Sequence, residues 1–281
     1  MKPTPFAAMI VGAVALPGIA PAQGADLPIA VQMYTMRDYG TLEEQLQAIS
    51  DAGVGHVETF GMEDADLDAV EAMFEEYGIE VISDHAGIER LRTDLDQVVE
   101  MNRRLGNDTI TIPYLEEDMR PTDVQGWQSL GEELAGFAEE LSAQNMRLAY
   151  HNHAFEMEEY DGRTALEIMF EAAGPDVLAE VDLAWVARGG QDPAAFLTTL
   201  GDRVFAVHAK DNAPEGENTD QMGFAAVGEG TLDWDAVLDA AAELDVEWYI
   251  IEHDQPADAA AQIATGADYL REALPDAMSG S

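Results

Sequence analysis

Val204-Phe205-Ala206-Val207-His208-Ala209-Lys210 is a short β-rich run whose character changes along its length. Side chains of a strand alternate between two faces, so Val204, Ala206, His208 and Lys210 share one side, and that side turns from apolar to ionisable toward its end. The same gradient recurs on Ala149, His151 and His153, on Leu178, Glu180 and Asp182, and on Trp248, Ile250, Glu252 and Asp254. Four runs of this kind describe a packed interior that opens at one end into a charged cup.

Working outward, eight β-rich runs alternate with amphipathic helical stretches, which is the pattern of βα units around a parallel sheet. The strands are expected at 29–34, 56–60, 80–83, 109–113, 147–152, 177–182, 204–209 and 248–253. The helices are expected at 42–52, 67–77, 94–105, 123–144, 164–172, 193–200, 234–244 and 257–270. Thr41 with Glu44 reads as a capping box, and Asp192-Pro193 as a helix start. A doubly wound sheet also alternates β and α, but no glycine-rich phosphate loop follows the first strand, and the polar residues gather at many strand ends. The fold class is therefore α/β, a single (β/α)8 TIM barrel whose site lies at the C-terminal strand ends. The polar, glycine-rich stretch from Asn212 to Gly230 follows the seventh strand and reads as a lid.

Residues 1–25 read as a cleavable signal peptide: Lys2, an apolar run from Phe6 to Leu16, Pro17-Gly18, and small residues through Ala25. The run is shorter than the roughly 20 residues that span a bilayer, so cleavage after Ala22 or Ala25 and a periplasmic or secreted address are expected. The barrel domain then occupies residues 26–281. There is no cysteine, so an exported chain must be held by burial alone. The formal charge is −43, from 56 acidic against 13 basic residues, and the only lysines are Lys2 and Lys210. Such a surface repels phosphate backbones and anionic lipid, leaving no nucleic-acid partner and no membrane partner after signal cleavage. A homo-oligomer is compatible with it.

Five of the six histidines, His85, His151, His153, His208 and His253, fall at or just beyond expected strand ends. His151, Asp182, His208 and Glu252 reach similar heights on neighbouring strands, and a mixture of imidazole and carboxylate suits one divalent manganese, zinc, iron or cobalt ion. Burying these ionisable groups without a counter-ion is costly. Arg37 and His85, just past strand ends, are candidates to hold substrate hydroxyls or a carboxylate, or else to partner the acidic rim. Trp185 reads as a hydrophobic wall against a small polar substrate or as a rim contact, and Lys210 as an oxygen-polarising group or an ion-pair partner of Glu180 or Asp182.

Several segments also resemble the sugar phosphate isomerase/epimerase group of the xylose isomerase-like barrel superfamily: 31–38 (VQMYTMRD), 151–156 (HNHAFE), 181–185 (VDLAW), 207–211 (VHAKD), 227–230 (VGEG) and 251–254 (IEHD). The resemblance covers nearly the whole chain after residue 25. It implies one divalent metal held at the ends of strands five to eight, with Asp182, His208 and Glu252 matching three ligands. At strand five His151 stands where many relatives carry glutamate, and Glu156 is the alternative ligand. The implied activity is isomerisation or epimerisation of a small-molecule sugar by proton transfer through a metal-stabilised enediolate, with Glu252 and either Glu156 or His153 carrying the proton and Lys210 polarising an oxygen. Two alternatives share these residues: a lyase or hydrolase acting by elimination on a keto-sugar or 3-keto-glycoside, and a sugar-binding barrel without turnover.

Overall fold

The computed structural model describes residues 27–62 and 65–280. The expected signal peptide lies outside the described residues. Eight parallel strands, Ile29–Gln32, His56–Phe60, Glu80–His85, Thr109–Ile112, Arg147–His151, Val177–Asp182, Val204–Ala209 and Trp248–Ile251, close in sequential order, the first pairing with the eighth. This is the expected TIM barrel. Among the described residues no helix is long and apolar enough to cross a membrane.

Two apolar layers hold the barrel. The larger lies between strands and helices, where Val31, Val57, Val181 and Val207 meet helix residues such as Leu46, Leu134 and Ile263. The smaller plugs the barrel interior with Ala30, Ile82, Ala149, Phe205, Ala206 and Ile250. Helices begin where side chains satisfy their free N–H groups: Thr41 and Glu44 form the expected capping box, and Asp192 caps the helix Pro193–Leu200. The third helix starts earlier than the 94–105 expectation, at Ile88, and is kinked at Asp94. Ile88 and Leu91 are buried there, so packing holds an extra turn that the periodic pattern does not announce.

Two register shifts aim the interior side chains. In strand three Ile82 is unpaired, so that Glu58 stands opposite Ser83 and His85 comes to the inner face. In strand seven Phe205 is unpaired, which seats Glu180 opposite Ala206 and Asp182 opposite His208. Bulges of this sort redirect side chains locally. Strict alternation had placed Val204 inside the barrel; it packs in the outer layer instead, and Phe205 takes the interior place.

Helices Val124–Ser142 and Ala165–Ala173 approach closely at Gly131, where a Cβ would run into the Met169 carbonyl and come within 2.8 Å of Ala172 Cβ. Gly131→Ala is expected to destabilise the fold by about 1–3 kcal/mol, because overpacking outweighs the better helix propensity of alanine. Chemical denaturation measures it, and an unchanged or higher midpoint would contradict the close packing described.

Candidate functional site

The C-terminal strand ends converge on two adjoining groups of ligating atoms, each within 4.8 Å of one another: Asp182, His208 and Glu252, and, nearer the barrel axis, His85, His151, Glu180 and His208. All but His85 are buried. Asp182 begins the short helix Leu183–Arg188, and its Oδ1 caps that helix by accepting from Trp185 N (2.8 Å), which leaves Oδ2 for the site. Its backbone is pinned from strand five, where Asn152 Oδ1 accepts from Asp182 N (3.0 Å). The middle residue of the His151-Asn152-His153 run therefore fixes strand six while its neighbours face the cup.

In the outer group Lys210 Nζ lies 2.8 Å from Asp182 Oδ2 and 2.6 Å from Asp254 Oδ2, and also pairs with Glu252 Oε2. The expected pairing with Asp182 is present. His151 Nε2 stands 3.9 Å from Asp182 Oδ2, and His208 Nδ1 stands 3.9 Å from Glu252 Oε2. Asp182 Oδ2 and Glu252 Oε2 are buried with the Lys210 ammonium as their close cationic neighbour, and His208 Nδ1 is buried with no hydrogen-bond partner. Burial, followed by the neighbouring Asp254 charge, pushes the Glu252 carboxyl up to about 7 despite Lys210. The three carboxylates around this one ammonium outnumber it, and the two oxygens and one imidazole nitrogen gathered from three adjacent strands are of the types that bind a divalent transition metal.

In the inner group the carboxylates already face ring nitrogens through hydrogen bonds and ion pairs. Glu180 Oε1 faces His85 Nε2 at 2.9 Å, His151 Nδ1 at 3.1 Å and His208 Nε2 at 2.9 Å. Glu58 Oε1 faces His85 Nε2 at 3.0 Å and His208 Nε2 at 2.8 Å, and accepts from Gln32 Nε2 at 2.6 Å. His85 is thus tied into the barrel centre, and of its two readings the partner of acidic groups is the one the contacts display. Sequence reasoning assigned no role to Glu58 or Gln32 and treated Glu180 only as a partner for Lys210. The available signal was a carboxylate in the middle of a β run, at Glu58, and the shared parity of Glu180 with Asp182.

The remaining predicted residues divide. Glu156 is buried away from both groups, its Oε1 accepting from Tyr150 Oη (2.8 Å) and its Oε2 from His153 N (2.8 Å), and burial raises its pKa to about 8. Of the two strand-five alternatives, His151 is the one that lies within a ligand group. His153 packs between Tyr114, Phe155 and Trp185, with ring centroids 4.9, 6.0 and 5.3 Å away. Burial, aided by Lys210, lowers its pKa to about 3, so it is neutral at pH 7, and its Nδ1 lacks a partner. Arg37 stacks over Tyr34 (4.0 Å) and donates to the carbonyls of Tyr34 and Asp254. Arg37, His85, His151, His153, Trp185 and Glu252 all line one cavity of about 870 Å³ above the strand ends, walled also by aromatic rings and by Met222 of the 212–230 loop.

Residues 46–273 match the family model described as xylose isomerase-like TIM barrel. The chain belongs to that family. It is 26% identical over 256 residues to inosose dehydratase from Geobacillus kaustophilus (strain HTA426), covering 78% of this chain and 82% of that protein. A sugar phosphate isomerase/epimerase from Parabacteroides distasonis ATCC 8503 has the same fold, with a TM-score of 0.73 at 19% identity over 90% of this chain and 99% of that one. The IOLI protein, with a binding zinc atom, superposes with a TM-score of 0.70 at 17% identity, again over 90% of this chain and 99% of the other.

In this family member the 212–230 loop is anchored by Asp211. Its carboxylate accepts from the backbone N–H groups of Gly228 (3.2 Å), Gly230 (3.1 Å), Thr231 (2.9 Å) and Leu232 (3.1 Å), and from Trp234 Nε1 (2.7 Å). Hydrogen bonds to a charged acceptor contribute about 1.5–3 kcal/mol each. Asp211→Ala is therefore expected to speed proteolytic cleavage within residues 212–230 by roughly tenfold or more; cleavage at the wild-type rate would show that the loop does not depend on this carboxylate.

Proposed function

We propose that this chain is a divalent-metal-dependent enzyme that takes a proton from the carbon beside a carbonyl group of a sugar and returns it, as an isomerase or epimerase. The observation that carries the reading is the buried group of Asp182, His208 and Glu252, whose ligand atoms lie within 4.8 Å of one another beneath a cavity of about 870 Å³, with two carboxylates sharing the Lys210 ammonium and His208 Nδ1 unpartnered. His151 Nε2 approaches this set from strand five, 3.9 Å from Asp182 Oδ2. Membership of a family of enzymes, and the zinc atom in the structurally similar IOLI protein, support it. When bound there, a divalent ion stabilises negative charge developing on substrate oxygen.

The chain's own residues supply the rest. Trp185 and Phe155 give apolar walls that shed water from a sugar ring. Lys210 Nζ, buried and held by Asp182 and Asp254, keeps a fixed positive charge beside the reacting oxygens. Glu252 is the residue that accepts the proton, through the carboxylate oxygen that a metal at Oε2 leaves free. His153, neutral at pH 7, presents its unpartnered Nδ1 on the aromatic side of the cavity for the second proton transfer.

The likeness to inosose dehydratase favours a second reading, elimination of water or of a glycosidic oxygen after the same proton is removed. We propose in addition, from the sequence of residues 1–25, that this segment is cleaved and that the enzyme works outside the cytoplasm. A keto-sugar incubated in deuterium oxide separates the two readings. Isomerisation exchanges the carbon-bound hydrogen and keeps the product otherwise equal in mass, whereas elimination releases water or an aglycone. The absence of both carbon-bound exchange and release of water or an aglycone would leave a binding protein.

The metal is tested directly. Elemental analysis of the reconstituted protein should find about one transition-metal ion per chain, and Asp182→Asn should lose most of it. Full metal content in Asp182→Asn would remove the basis of the mechanism.

A further inference from the structure

We propose that Glu180 is a positioning residue of the metal site: by taking the hydrogen of His151 Nδ1 and, jointly with Glu58, facing the hydrogen of His208 Nε2, it turns His151 Nε2 and His208 Nδ1 toward Asp182 and Glu252. The inference rests on the metal-dependent reading above and specifies how this chain achieves it. Nothing in the family resemblance assigns the residue.

The argument starts from which atoms are satisfied. Imidazole has two nitrogens, and in its neutral form one donates while the other keeps a lone pair. A carboxylate only accepts, so His151 Nδ1 carries its hydrogen toward Glu180 Oε1 (3.1 Å), and His208 Nε2 carries its own toward the carboxylate pair, donating to Glu58 Oε1 at 2.8 Å with Glu180 Oε1 2.9 Å away. In the neutral rings that a metal requires, the lone pairs then lie on the opposite nitrogens. For His208 that is Nδ1, buried and without a hydrogen-bond partner; for His151 it is Nε2, 3.9 Å from Asp182 Oδ2. A ligating histidine commonly donates its second ring N–H to a carboxylate, which fixes the ring and makes it a better donor to metal. Here one carboxylate serves two rings, from the position two residues before the ligand Asp182, on the same face of the same strand.

The inner group of His85, His151, Glu180 and His208 is the rival place for a cation. Gln32 decides against it. Its Oε1 accepts from Tyr34 N (2.9 Å), so its NH2 group faces Glu58 Oε1 (2.6 Å) and His85 Nδ1 (3.1 Å). A donor against Nδ1 requires a lone pair there, and the hydrogen of His85 lies on Nε2, between Glu58 and Glu180. Charge alone favours a second proton on this ring, which the two carboxylates hold at a pKa of about 9 against the cost of burial. The Gln32 amide opposes that proton, and in either state Nε2 is a donor and not a ligand. Glu58 and Glu180, both fully buried, act together as acceptors beneath the metal site.

The test uses Zn²⁺ and the full protein. Affinity for Zn²⁺ is measured by competition with a chromophoric chelator for wild type, Asp182→Asn and Glu180→Gln, and circular dichroism follows folding. Glu180→Gln keeps the size of the side chain but loses its charge and one acceptor, and should bind Zn²⁺ about 10–100-fold more weakly while remaining folded. Long-range ¹H–¹⁵N spectra of Zn²⁺-loaded, ¹⁵N-histidine-labelled wild type should show the remaining ring hydrogens on His151 Nδ1 and His208 Nε2. This second readout holds even if Glu180→Gln does not fold. Wild-type affinity in Glu180→Gln, with binding lost in Asp182→Asn, would overturn the role of Glu180 and leave the metal reading standing. Zn²⁺ on His151 Nδ1 and His208 Nε2 would likewise overturn it. Failure of wild type to bind Zn²⁺ would overturn both.

Discussion

One ammonium group, Lys210 Nζ, sits among the carboxylates of Asp182, Glu252 and Asp254 at the top of the barrel, and two more carboxylates, Glu58 and Glu180, lie just below it. Charges taken from water are tolerated only when paired and hydrogen-bonded. The lower carboxylates are supplied with hydrogens by His85, His151, His208 and Gln32. The upper ones are not fully supplied, and this imbalance, stabilised by a rigid apolar barrel around it, is the chemical capacity of the molecule.

The barrel meets that demand by dividing its interior into layers. Small and aliphatic side chains, Ala30, Ala149, Ala206 and Ile250 among them, close the base. Above them lies the hydrogen-bonded layer of glutamates and histidines, and above that the ligand atoms and the aromatic cavity. Each layer orients the next: Tyr34 N holds Gln32, Gln32 holds Glu58 and His85, and Glu58 and Glu180 hold His208. With no cysteine in the chain, burial and these buried polar contacts are what keep the layers in place.

Much of this could be read along the chain. The eight strands, their order and the residues at the tips of strands five to eight follow from alternation of β and α and from the apolar-to-ionisable gradient within each strand. The gradient also carried the signal for Glu180, two residues before Asp182. Other features were beyond it. The bulges at Ile82 and Phe205 change which parity faces inward, so Val204 lies outside and His85 turns to the axis. Glu156 is near His151 in sequence, yet a 3-10 turn at Phe155–Met157 carries it onto Tyr150 and the His153 amide.

The sequence by itself determined the barrel and the chemical types gathered at its mouth, because periodicity in a strand is local and each strand carries its own record of what is buried. Which nitrogen of each histidine is free, which carboxylate is satisfied and which is left for a ligand were decided only by tertiary structure. Those properties belong to contacts between strands distant in sequence, such as Glu58 with His208 or Gln32 with His85, and a hydrogen bond between two strands has no trace in either one alone.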